Sequence, residues 1–130
     1  MAFYADTSAL VKLVVEEQET SALRAWLTAH ERDLVTCDLA RTELVRAVRR
    51  SEPELARRAR EVLDACLLMT VTAGVFDAAG RLEPVGLRPL DAIHLAAALE
   101  LGDSLDAVVT YDERLAQAAS SNGLAVLAPH

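Results

Sequence analysis

Short apolar runs alternate with longer stretches of helical period along the whole of this sequence, which restricts the chain to a βαβ-type architecture with a parallel sheet. Residues 2–5, 34–37, 67–71, 106–110 and 124–127 have the length and composition of buried strands. Helices are expected over 8–17, where Leu10, Leu13 and Val14 share a stripe, and over 20–30, 38–50, 72–82, 90–101 and 113–120. Asp38 suits the N-cap of the helix over 38–50, and Pro53 suits the first turn of another running to about Cys66. The segment 90–101 is apolar or alanine almost all round, so it is expected to be buried. Pro84, Gly86 and Pro89 mark a loop, and Asn122-Gly123 a turn. The expected fold is a three-layer α/β/α sandwich around about five parallel strands. No linker, repeat or low-complexity tract interrupts it, so residues 1–130 are read as a single domain.

No apolar run approaches the roughly 18 residues needed to cross a bilayer, because charges interrupt every stretch. The opening residues reach Asp6 without a basic segment and do not read as a signal peptide, which leaves the cytoplasm as the expected compartment. Hydrophobic residues make up 52% of the chain, enough for a large buried sheet or for an apolar face that a partner covers. Cys37 and Cys66 lie far apart, outside any metal-type pair, and read as reduced, buried small side chains.

The net charge of -7 argues against general electrostatic binding of nucleic acid. Acids that ligate a divalent metal are neutralised in use, however, so a metal nuclease can look acidic by sequence. The cations are also clustered: Arg46, Arg49, Arg50, Arg57, Arg58 and Arg60 are close together, whereas Lys12 is the one lysine. This cluster reads either as a solvated helix face or as a contact for RNA or a partner.

Parallel sheets form sites beyond the carboxyl ends of their strands, where neighbouring connections leave to opposite faces. Asp6 ends the first expected strand and Asp112 follows the fourth, so each can project into such a crevice. Glu43 lies inside an amphipathic helix between Thr42 and Leu44, and Asp91 opens the most apolar helix of the chain. Each acid has a local alternative: turn capping for Asp6, an exposed pairing with Arg46 for Glu43, and helix capping for Asp91 and Asp112. Converging together, four carboxylates would repel one another unless a cation sat among them. Magnesium or manganese suits such an oxygen set, and no His/Cys cluster favours zinc. A metal held there can make a water nucleophilic and stabilise charge on a phosphate.

The segments Tyr4-Ala5-Asp6-Thr7-Ser8-Ala9-Leu10, Arg41-Thr42-Glu43-Leu44, 90–98 (Leu-Asp-Ala-Ile-His-Leu-Ala-Ala-Ala) and 109–115 (Val-Thr-Tyr-Asp-Glu-Arg-Leu) resemble, in order, the four signature segments of PIN-domain nucleases. The length, with no added domain, is similar to that of the VapC toxins of toxin–antitoxin pairs. The resemblance implies endonucleolytic cleavage of RNA, transfer or ribosomal, with Mg2+ or Mn2+ held by Asp6, Glu43, Asp91 and Asp112. It makes Ser8 and Thr110 supporting hydroxyls for ligands or water. Read locally, Ser8 is equally a helix N-cap and Thr110 a polar strand end. It also implies homodimers and a cognate antitoxin that covers the site, often placing a basic side chain among the carboxylates. His94 could hydrogen-bond a ligand carboxylate, but reads first as a core histidine paired with a backbone group.

Other readings fit less well. A receiver domain needs an acceptor aspartate after the third strand, where Thr72-Ala73-Gly74 stands, and a late lysine. A haloacid-dehalogenase-type phosphatase needs an acid at the position of Ser8. There is no P-loop and no dinucleotide fingerprint. The rival of another class is a module that occupies RNA or a protein partner without cutting it.

Overall fold

The computed structural model describes residues 2–30 and 33–130. Its centre is a five-stranded, all-parallel sheet of order β3-β2-β1-β4-β5, formed by β1 (Ala2–Ala5), β2 (Leu34–Cys37), β3 (Leu67–Met69), β4 (Leu105–Val109) and β5 (Val126–Leu127). The intervening helices are α1 (Thr7–Val14), α2 (Thr20–His30), α3 (Leu39–Ser51), α4 (Ala56–Asp64), α5 (Ala73–Arg81), α6 (Pro89–Glu100) and α7 (Glu113–Ser121). This is the α/β/α sandwich expected from the periodicity. Among the described residues no helix is long and apolar enough to cross a membrane.

The two-residue period of the strands divides the core. Phe3, Ala5, Leu34, Ala107 and Val109 face α1–α4, where Leu10, Leu23, Leu44, Val48 and Leu63 are buried. Tyr4, Val35, Cys37 and Val108 face α5–α7, against Val75, Leu95, Ala96 and Leu115. Strand order reverses at β1, so the carboxyl ends of β1 and β4 flank the point at which connections leave to opposite faces. The Asp6 amide, donating to the Val109 carbonyl at 3.3 Å, extends the β1–β4 ladder to the lip of this crevice.

Several boundaries differ from expectation because tertiary partners end the elements. The helix expected over 8–17 stops at Val14, because the Thr20 hydroxyl donates to the Lys12 carbonyl (2.8 Å) and accepts from the Glu17 amide (2.9 Å). Asp38 precedes α3 without capping it. Its backbone amide donates a hydrogen bond to the Met69 carbonyl (3.0 Å), which draws it to the sheet, while its carboxylate accepts from Arg41 Nε at 2.9 Å. The segment from Pro53 starts as a short 3-10 turn, Pro53–Leu55, and α4 ends at Asp64 rather than near Cys66. The edge strands β3 and β5 are shorter than the runs 67–71 and 124–127, each having a neighbour on one side only. Helix α6 buries Ala92, His94, Leu95, Ala96, Ala97 and Ala98 but leaves Leu90 about half exposed (48%), so it is not enclosed on every side.

Candidate active site

Asp6 is held by three donors at the end of β1. It is the N-cap of α1, accepting at Oδ1 from the Ala9 amide (3.2 Å) and the Ser8 hydroxyl (2.7 Å), and at Oδ2 from the Thr110 hydroxyl (2.7 Å). Ser8 therefore does not cap α1, which was its local alternative. Its hydroxyl instead links the start of α1 to the end of β4, lying 3.2 Å from Thr110 Oγ1 and accepting from the Tyr111 amide at 2.9 Å. Thr110 likewise does more than end a strand, because its hydroxyl accepts from the Asp112 amide at 3.1 Å while donating to Asp6. Asp6 keeps only 4% of its surface exposed. Burial pushes its pKa above the usual carboxylate value, and the bonds from Ser8, Thr110 and Ala9 oppose that rise without cancelling it.

Glu43 projects from α3, whose Ala40, Leu44 and Val48 lie against the core. Its Oε1 accepts from the Thr7 hydroxyl (3.0 Å) and from His94 Nε2 (2.6 Å), and the surface pairing with Arg46 does not form. Burial pushes the Glu43 pKa up, but the hydrogen bond and charge of His94 and the bond from Thr7 outweigh it and hold the group below its usual value. His94 is buried, as expected of a core histidine, but its partners are side chains rather than backbone groups. The ring lies at Nδ1 2.7 Å from the Tyr4 hydroxyl and 3.8 Å from Cys37 Sγ. Burial alone would lower the His94 pKa; hydrogen bonds and charge from Cys37 and Glu43 raise it to about 10. Protonated, the ring donates from Nε2 to Glu43 and from Nδ1 to the Tyr4 oxygen.

Asp91 sits in the first turn of α6, after Pro89 at its start, and Asp112 is the N-cap of α7, accepting from the Leu115 amide at 2.9 Å. One guanidinium joins them: Arg88 donates from Nε to Asp91 Oδ2 (2.8 Å) and from Nη2 to Asp112 Oδ2 (3.0 Å). The four acids are thus strung on one connected set of partners. Thr7, which binds Glu43, is the chain neighbour of Asp6; Thr110 joins Asp6 to Asp112, and Arg88 joins Asp112 to Asp91. The amino ends of α1, α6 and α7 meet here, and their partial positive charge favours the carboxylates and any phosphate brought near them. Among the described residues no three His, Cys, Asp or Glu side chains form a ready-made ion cage; Arg88 and His94 bond oxygens of three of the acids.

Tyr4, Thr7 and Arg88 were not singled out from sequence. Arg88 is the extended residue just before α6, three positions ahead of Asp91, so helical spacing did not point to it. Tyr4 and Thr7 flank Asp6 by two and one positions, but the sequence carries no sign of their distant partners.

The family model described as the PIN domain matches residues 3–120. The chain is 44% identical over 130 residues to Ribonuclease VapC47 of Mycobacterium tuberculosis, covering 97% of this chain and 96% of that one. It is 48% identical to Ribonuclease VapC46 of the same species, covering 98% of each. Among solved structures it is similar to VapC20 of Mycobacterium tuberculosis, described as a sarcin-ricin loop cleaving toxin, with a TM-score of 0.77 at 17% identity over 98% of this chain and 99% of the other. It is also similar to VapBC2 of Rickettsia felis bound to a DNA fragment from its promoter, with a TM-score of 0.72 at 15% identity over the full length of both chains. These two share the fold. The match of the family model across nearly all of the chain, with near full-length identity above 40%, shows that the chain belongs to the PIN-domain family and, within it, to the VapC ribonucleases.

Proposed function

We propose that this chain is a Mg2+- or Mn2+-dependent endoribonuclease, one domain long, acting in the cytoplasm as the toxin of a toxin–antitoxin pair. The observation that carries the site is the linkage of Asp6, Glu43, Asp91 and Asp112 through Thr7, Thr110 and Arg88 at the strand-order reversal. The donor set is oxygen only, which suits a hard divalent cation. A cation is also already accommodated electrostatically, since the Arg88 guanidinium spans two of the acids. Asp6, Glu43, Asp91 and Asp112 would hold one ion or two. Bound there, the metal supplies a water that is nucleophilic at neutral pH and offsets charge gathering on the phosphate.

The chain's own groups do the positioning. Ser8, Thr110 and the Ala9 amide fix both oxygens of Asp6, and His94 with Thr7 fixes Glu43. The shallow cleft beside Asp112, about 280 Å³ and lined by Thr110 and Tyr111, is open to solvent and suits a polymer better than an enclosed small molecule. RNA as substrate is supported by the ribonuclease relatives, and the sarcin-ricin loop specificity of VapC20 supports ribosomal RNA beside transfer RNA as the class of target. The VapBC2 complex supports an antitoxin partner. A groove of about 300 Å³ between α5 and α6, with Phe76 and Val85 exposed on its rim, suits protein contact in such a complex or in a homodimer.

The test is incubation of antitoxin-free protein with total cellular RNA, with Mn2+ or EDTA, beside Asp6→Asn, and sequencing of new RNA ends. Discrete ends are expected with metal and wild-type protein, and a loss of more than about 100-fold for Asp6→Asn, beyond what outer-shell changes at metal sites cost. Ends that persist in EDTA or in Asp6→Asn would refute the metal mechanism. RNA binding without ends would leave the non-cleaving module.

A further inference from the structure

Arg88 is the residue just before α6, and its side chain is 57% exposed. It reaches across to Asp112, 24 residues along the chain, while also holding Asp91 one helical turn ahead. In Asp112 the two oxygens are divided: Oδ1 accepts from the Leu115 amide and Oδ2 takes Arg88. Arg88 therefore occupies the oxygen that α7 leaves free. Asp91 is more enclosed than Arg88, at 16% side-chain exposure, and its Oδ2 is taken by the same guanidinium. A divalent ion that takes both of these oxygens needs the place the guanidinium holds.

We propose that Arg88 is an internal competitor of the divalent cation, closing Asp91 and Asp112 on itself until the metal displaces it from at least one of them. The inference rests on the metal-dependent reading of the site, which it deepens by naming what the metal must overcome. The planar fork matters, because Nε and Nη2 reach two different carboxylates at once, a geometry that a lysine ammonium on its flexible stem reproduces poorly. Once displaced, the guanidinium remains beside the site with its donors free for a phosphate oxygen of RNA. Because the guanidinium is solvent-exposed in both pairs, the competition is moderate.

Isothermal titration of Mn2+ into the full chain tests this, comparing wild type with Arg88→Gln and Arg88→Lys. Circular dichroism establishes that each is folded, as the exposure of Arg88 leads one to expect. Arg88→Gln should bind Mn2+ more tightly by about 3- to 30-fold, the sum of two exposed pairs removed, with Arg88→Lys between it and wild type. Equal or weaker binding by Arg88→Gln, with wild type binding Mn2+, overturns the competitor role and leaves the metal reading standing. No Mn2+ binding by any folded form overturns both.

Discussion

Asp6 is buried, carries a raised pKa and receives three hydrogen bonds, so its charge is costly where it lies and would be offset by a nearby cation. A carboxyl whose folded pKa is raised stabilises the fold at low pH and loses that contribution as pH climbs through the raised value. Asp6→Asn is therefore expected to melt at the same temperature as wild type or higher at pH 7 in EDTA, while cleavage is lost; a clear fall in Tm would show that the carboxylate is needed for folding. His94 shares that sign, whereas its partner Glu43 runs the other way. The His94 pKa, raised to about 10 from 6.5, contributes stability fully below pH 6.5 and loses it as pH rises toward 10. Glu43, held low, contributes above its usual pKa and loses the contribution as pH falls below it. Denaturant unfolding of wild type should accordingly weaken between pH 7 and 10, and His94→Gln should flatten that limb. An unchanged slope in the variant would remove His94 as its source.

At the scale of elements, α3 joins stability to the site. Ala40, Leu44 and Val48 recur at four-residue intervals and fix its inner face, which sets the direction in which Glu43 points. Leu44 is fully buried next to Glu43, so Leu44→Ala is expected to cost about 2–5 kcal/mol of unfolding free energy and to lower cleavage in the fraction that remains folded. Urea titration read with activity at low denaturant checks this; a loss under 1 kcal/mol would mean that neighbouring side chains collapse into the space. The amphipathic stripe of α3 was legible in the sequence. The end of α1 was not, because a threonine at the start of α2 terminates it.

Across the whole molecule, arginines gather around two neighbouring clefts. Against a net charge of -7, Arg41, Arg46 and Arg60 line a cleft of about 330 Å³ between α3 and α4, and Arg46, Arg49 and Arg50 line another of about 230 Å³. Arg46 belongs to both, so the basic surface is continuous and lies largely on α3, the helix that carries Glu43. If RNA is the substrate, its backbone is expected to run over this face. Replacing Arg46, Arg49 and Arg50 with Gln in an Asp6→Asn background should reduce the slope of log affinity against log salt by about 2 for single-stranded RNA. Filter binding measures this, and an unchanged slope would assign the arginines to another partner.

The sequence by itself determined the class of fold, the order of its layers and the carboxylates to examine, because strand and helix periods are local and repeat along the chain. It marked Asp6 and Asp112 as lying just past strand ends, where a parallel sheet opens. The tertiary structure alone decided the pairings that give these acids their character. His94 meets Glu43 across 51 residues, Thr110 meets Asp6 across 104, and Arg88 meets Asp112 across 24. Such contacts depend on how β1, β4, α3 and α6 are brought together, and no local period encodes that. The same distances explain why His94 reads from sequence as a core residue and is found bonded to an acid of the site. Its helix buries it as the apolar pattern requires, and strand order then sets Glu43 and Tyr4 against its two nitrogens.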